Sequence, residues 1–238
     1  MAQPQLSDKT DFDAYKDTYR DAVEHSIAFS GRGVDYFAEH KALHLLAIAR
    51  RHLGDPGELS ALDLGCGVGA TDAFLAGAFG DLHGVDIAKE AVARAAEANP
   101  TVTYSPYDGV RLPFDDGEFD LAFTINVLHH VPVAARPGFA AEMARVVRPG
   151  GLAIVIEHNM FNPLTKLAVM RCEFDADAVL LTRAHATRLL EEAGMQAAER
   201  RYIFFAPVSA PRAAALDRWV SWLPVGGQYY VAATRQPA

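Results

Sequence analysis

The 238-residue chain holds only two cysteines, no run near the ~20 apolar residues of a membrane-spanning helix, and no excess of basic charge. Each lack excludes something. Two cysteines make no disulfide framework, and a bridge between Cys66 and Cys172 would tie down a glycine-rich turn that has to meet a ligand, so free thiols in a reducing compartment are expected. A net charge of −8 gives no attraction to phosphate backbones or anionic lipid, and neither nucleic acid nor membrane is expected as a partner. Residues 1–17 are polar and acidic without the apolar centre of a secretory leader, so the expected location is cytoplasmic. With half its residues hydrophobic and 22% charged, the chain is neither disordered nor fibrous in type, and its length suits one substantial core with appendages.

The organising stretch is Ala61-Leu62-Asp63-Leu64-Gly65-Cys66-Gly67-Val68-Gly69. A short apolar run ends in an acid and a glycine turn, and residues 70–79 read as a helix behind it. That order sets exposed backbone N–H groups at a crevice where a polar ligand can approach with no Cβ in the way. Gly65, Gly67 and Ala70 also satisfy the dinucleotide pattern G-x-G-x-x-G/A, so spacing alone leaves NAD open. Asp63 breaks the tie: a carboxylate beside the turn is favourable near an ammonium group and unfavourable near a pyrophosphate. An amino-acid-bearing nucleoside is therefore preferred. Residues 62–69 resemble the first motif of class I S-adenosylmethionine (SAM)-dependent methyltransferases.

Before this stretch, residues 12–52 read as one or two helices broken at Gly31 and Gly33, giving an N-terminal helical cap or lid over 1–55. After it, short apolar runs alternate with amphipathic ones, the pattern of βαβ units around a mostly parallel sheet. Strands are expected over 82–85, 101–105, 119–125 and 152–156, with helices over 88–98 and 136–147, the latter ended by Pro149-Gly150-Gly151. A helix over 182–193 and strands over 199–205 and 228–234 follow. The resemblance makes the last two an antiparallel hairpin at the sheet edge. The expected fold is thus α/β and Rossmann-like, with seven strands and helices on both faces. Long connections over 160–181 and 206–227 are expected on the substrate side of a single 56–238 domain.

Asp86 ends the second strand, where a carboxylate accepts from both hydroxyls of a ribose, and Ile87 follows it. Tyr107-Asp108-Gly109-Val110-Arg111-Leu112-Pro113-Phe114 looks like the D-A-x-x-L-P-F segment of the small-molecule methyltransferase group, similar to methyltransferase type 11. The resemblance implies that Asp108 accepts from the adenine amino group while Gly109 lets the chain pass close to the ring. The stretches 119–131 and 145–151 resemble the fourth strand with its following turn and the turn before the fifth strand, and imply Asn126 at the cofactor. The cofactor set is Asp63, Gly65, Cys66, Gly67, Gly69, Asp86, Ile87, Asp108, Gly109 and Asn126.

The resemblance implies transfer of an activated methyl group to a small molecule, with oxygen the first choice of acceptor atom. A base is needed only for a protonated nucleophile, and His129, His130 and His158 are the candidates. No metal is expected, because adjacent histidines on a helix point about 100° apart. Tyr15, Tyr19, Glu157, His158 and Asn159 are the candidate substrate contacts. Two other readings stay open: an NAD-dependent oxidoreductase on a similar sheet, and a SAM-binding module without catalysis.

Overall fold

The computed structural model describes residues 19–206 and 208–237. Helices α1 (Tyr19–Ile27) and α2 (Val34–His52) lead into β1 (Ser60–Leu64). Then come β2 (Asp81–Asp86), α3 (Lys89–Ala98), β3 (Thr103–Pro106), β4 (Phe119–Ile125), α4 (Arg136–Val146) and β5 (Val147–His158). The last third supplies α5 (Pro163–Arg171), α6 (Arg183–Glu192), β6 (Met195–Ile203), α7 (Ala210–Val220) and β7 (Gln228–Arg235).

The strands form one seven-stranded sheet in the order β3-β2-β1-β4-β5-β7-β6. Strands β1 to β5 run parallel, while β7 is antiparallel to both β5 and β6. Alternation sorts the side chains into two cores. Leu62, Leu64, Ala122, Ala153, Val155, Val231 and Ala233 face α4 and α6, whereas Ala61, Leu121, Phe123, Leu152, Ile154 and Ala232 face α2. Burial on both faces explains the apolar runs over 121–123 in β4 and 152–156 in β5.

Three departures from the sequence pattern have local causes. Residues 70–79 do not form an α-helix: only the 3-10 turn Asp72–Phe74 is helical. Gly77, at φ +75°, interrupts the run, and Asp72 turns inward to accept from Tyr104 Oη at 2.7 Å. Pro149-Gly150-Gly151 lies inside β5, as an irregularity that moves the β4 pairing from Phe119↔Val147 to Leu121↔Leu152. A Cβ on Gly151 would stand 2.6 Å from the Asp120 carbonyl, so the two strands meet too closely there for any side chain. The long connections are helical: 160–181 contains α5, whose cap Asn162 accepts from Leu164 and Thr165 N–H, and 206–227 contains α7.

Helix α7 packs on α2 through a buried polar knot. Asp217 Oδ2 accepts from His40 Nε2 at 2.8 Å, His44 Nε2 at 3.1 Å and Phe204 N at 3.0 Å. Burial alone would raise the Asp217 pKa, but these donors outweigh it and hold it down to about 2. Asp217→Ala should therefore strip two buried imidazoles of their acceptor and cost about 3–5 kcal/mol, read as a lowered urea midpoint.

Candidate functional site

A cavity of about 630 Å³ opens at the carboxyl ends of β1, β2, β4 and β5, the edge where open parallel sheets bind ligands. Gly65, Cys66, Gly67, Asp63, Asp86, Ile87, Gly109 and Asn126 line it, as do His129, His130 and His158. Both cysteines are free.

The glycines of the turn do different work. Gly65 and Gly69 have positive φ, and a Cβ on them would strike Val127 Cγ2 and Asn99 Nδ2, each at 2.5 Å. They are packing requirements. Gly67, at φ +53°, has nothing within 4 Å of an added Cβ, so its open side is the cavity itself. Asp86 holds the turn from the side, accepting from Gly67 N at 2.8 Å and Ala88 N at 2.9 Å. Asn126 sits at φ +57°, a conformation few non-glycine residues adopt, with its N–H donating to Ile156 O.

Beneath the turn, Asp63 is buried with Oδ1 lacking any partner. Burial and then the neighbouring Asp72 raise its pKa well above the carboxylate range, while burial takes Asp72 up to about 6. Burial disfavours negative charge on this neighbouring pair, and an arriving cation would favour it.

At the other end, His129 Nδ1 lies 2.7 Å from Glu157 Oε2, and His129 Nε2 lies 3.4 Å from Asp175 Oδ1. His130 Nε2 also stands 3.4 Å from that oxygen. The 3-10 turn Glu173–Asp175 is brought there by Val179 N donating to His129 O at 2.9 Å, and by buried Arg136, whose Nη2 donates to Val179 O. Burial opposes charge on His129, but Glu157 and Asp175 outweigh it and lift the imidazole to about 9. His130 and His158 are pushed down to about 4, by burial first and then by the His129 charge.

Several expected residues lie elsewhere. Glu157 and Asn159 are buried beneath the cavity and do not line it. Glu157 is spent on His129, and the Asn159 amide donates to the carbonyls of Pro224 and Gly226. Both are therefore corrected from substrate contacts to supports. Asp108 is exposed and outside the lining, with Oδ1 accepting from Val110 and Arg111 N–H, whereas its neighbours Tyr107 and Gly109 reach the cavity. Gly69 is likewise behind the turn. Tyr15 lies outside the described residues, and Tyr19 opens α1.

The structure adds residues that the sequence pattern did not single out. Lys41 of α2 lines the cavity, its pKa lowered to about 8 by burial against the pull of Glu157 and Asp63. Asp175 and Gln228 line it too. The only signal in the sequence is the His40-Lys41 pair and His44 set among the apolar residues of α2.

A methyltransferase-domain family model matches residues 62–155. An uncharacterised methyltransferase of Synechocystis is 34% identical over 143 residues, which cover 58% of this chain and 67% of that one. The chain belongs to the class I SAM-dependent methyltransferases. Another Synechocystis relative, 2-methyl-6-phytyl-1,4-hydroquinone methyltransferase, is 36% identical over 108 residues. That match covers 44% of this chain and a third (33%) of the relative's own length. The crystal structure of magnesium protoporphyrin IX methyltransferase from Synechocystis, with bound S-adenosylhomocysteine, superposes with a TM-score of 0.65. It is 20% identical, covering 94% of this chain and 97% of that one, and shares the fold.

The residues present fit the family's cofactor. An open glycine cradle beside an orphaned buried carboxylate is suited to a ligand carrying an ammonium group. No helix among the described residues is long and apolar enough to cross a membrane.

The shifted histidines set a pH dependence of stability. His130, His158 and His44 have lowered folded pKa values, so the stability they contribute is present above about pH 6.5 and is lost as pH falls below it. His129, raised, contributes below about pH 6.5 and loses that contribution as pH rises through about 9. Among the histidines three lowered groups outweigh one raised group, so their contribution to the unfolding free energy from urea titration should fall from pH 7 to pH 5 by of order 1–3 kcal/mol, with the raised Asp63 and Asp72 acting in the opposite sense. From pH 7 to pH 9 the loss of the His129 contribution is opposed by a gain from Lys41, whose folded pKa is lowered, so Lys41→Met should expose the His129 decline.

Proposed function

We propose that this protein transfers the methyl group of SAM to a hydroxyl-bearing small molecule held in the cavity. The observation that carries the reading is the partnerless Asp63 oxygen beneath a glycine turn that opens onto that cavity. Asp63 would meet the ammonium group, the Gly65–Gly67 backbone the amino-acid end, Asp86 the ribose hydroxyls, and Gly109 and Asn126 the remaining wall. Bound there, SAM supplies an electrophilic methyl on a sulfonium, ready for in-line displacement.

What the chain adds is alignment, exclusion of water and a place for a proton. Its apolar walls are Phe37, Phe174, Phe204 and Phe205. As the oxygen would take the methyl and the S–CH3 bond breaks, the hydroxyl proton would pass to the imidazole nitrogen of His130 or His158, neutral at pH 7 and facing the cavity, while the sulfonium charge is lost. His129 and Asp175 behind them carry the compensating charge. A hydroquinone is the acceptor named for one relative, and the cavity's mixture of aromatic walls with one polar end suits an aromatic alcohol.

Calorimetry with SAM tests the cofactor assignment. Asp86→Ala should weaken binding by about 1–3 kcal/mol, and Gly67→Val should abolish it while the thermal unfolding transition persists. Normal SAM affinity in both folded variants would move the cofactor elsewhere; NAD binding in place of SAM would favour the oxidoreductase reading.

Helix α1 and the segment after it contribute Val23, Ser26, Ile27, Phe29 and Ser30 to the cavity wall, and α1 packs on α5. Such a wall gains contacts when the cavity is filled, which makes it a lid. Amides of residues 23–33 should exchange more slowly once S-adenosylhomocysteine is added. Equal protection with and without it would make the segment scaffold, with entry from another side.

A further inference from the structure

We propose that His129, His158 and Asp175 form a binding site for a divalent first-row transition metal ion, Zn²⁺ in type, at the polar end of the cavity. The three come from separate parts of the fold: the turn after β4, the last residue of β5, and the 3-10 turn Glu173–Asp175. Their ligand atoms all lie within 4.8 Å of one another. Adjacent histidines on a helix do point apart, but the sheet supplies the convergence that the sequence spacing lacked.

The geometry separates a metal site from a hydrogen-bonded cluster. Ligands about 2.0–2.1 Å from a tetrahedral ion stand roughly 3.3 Å from each other. His129 Nε2 and Asp175 Oδ1 are 3.4 Å apart, longer than a good charged hydrogen bond. The knot at His40, His44 and Asp217 is different. His40 Nε2 and Asp217 Oδ2 are closed to 2.8 Å, and backbone N–H groups of Phe204 and Phe205 occupy the carboxylate.

Outer partners fix the imidazoles in the required sense. Nδ1–H of His129 donates to Glu157 Oε2 at 2.7 Å, so Nε2 is the nitrogen that faces Asp175. A metal ion there takes the place of the Nε2 proton that otherwise lies between the two. A carboxylate behind a ligating histidine is the usual support of such sites. The Gln228 amide nitrogen lies 3.3 Å from His158 Nδ1. With that amide turned over, and Asn126 turning alongside, Gln228 Oε1, otherwise buried without a donor, accepts from His158 Nδ1–H and frees Nε2. Two imidazoles and one carboxylate, with the remaining position toward the cavity, match a site for a borderline ion that keeps a place for an exchangeable oxygen ligand.

Placing an acceptor oxygen on that open position rests on the methyl-transfer reading, but ion binding does not. The test therefore contains no SAM. The full chain is stripped with chelator, then titrated with Zn²⁺ by calorimetry and with Co²⁺ by visible absorption. One equivalent should bind, Co²⁺ should give the intense absorption of a low-coordinate site, and Zn²⁺ should raise the melting temperature. His158→Ala and Asp175→Ala should each weaken Zn²⁺ at least tenfold and remove the Co²⁺ band, whereas His44→Gln should change neither. If an alanine variant fails to fold, His158→Gln and Asp175→Asn take its place. No saturable binding below about 1 mM by the parent protein, binding that survives both substitutions, or loss in His44→Gln alone would overturn the site.

Discussion

A sheet that is apolar on both faces leaves its polar groups only the strand ends. Strands β1, β4 and β5 are buried along nearly their whole length between the α2 and the α4/α6 layers. Parallel strands bring their carboxyl ends to one edge, so Asp63, Asp86, Asn126 and His158 arrive together without being near in sequence. The site follows from this constraint. These charges are delivered to that edge, where loops of several lengths enclose them.

The edge is electrically divided. At one end, Asp63, Asp72 and Asp86 crowd around the glycine turn, and burial raises the pKa of the first two. At the other, Glu157 and Asp175 keep theirs by flanking His129. Lys41 is drawn to both, through Glu157 and Asp63. A ligand with an ammonium group meets its complement at the first end, and a ligand with a hydroxyl meets the neutral imidazoles of His130 and His158 at the second. One cavity can thus hold two chemically different molecules in a fixed order.

What was legible in the sequence follows the same division. Strand β4 was readable to its boundaries because burial on both faces produces a mostly apolar stretch between turn signals. The glycine turn and Asp86 were readable because short-range backbone geometry demands them. The absent helix after the turn was not, since the inward rotation of Asp72 depends on Tyr104, a residue two strands away on β3. Glu157 and Asn159 read as substrate contacts, as polar residues leaving the fifth strand. Their burial depends on the turn carrying Asp175 and on the 224–227 loop, both remote in sequence. Asp175 itself gave no signal, because nothing in its own segment shows that Arg136 and Val179 will dock it against His129.

Helix α2 joins the structural and the reactive parts of the molecule. His40 and His44 recur one helical turn apart and reach Asp217, while Lys41, rotated by about 100° from His40, faces the cavity. Since α2 and α7 are both held at Asp217, the depth of Lys41 beside Asp63 and Glu157 is set by a contact that never touches the cavity. A cation whose charge is weakened by burial stays in place only if its helix cannot slide toward solvent. The buried His–Asp knot supplies that restraint, and the polarity of the site is in this way a consequence of packing on the far side of the same helix.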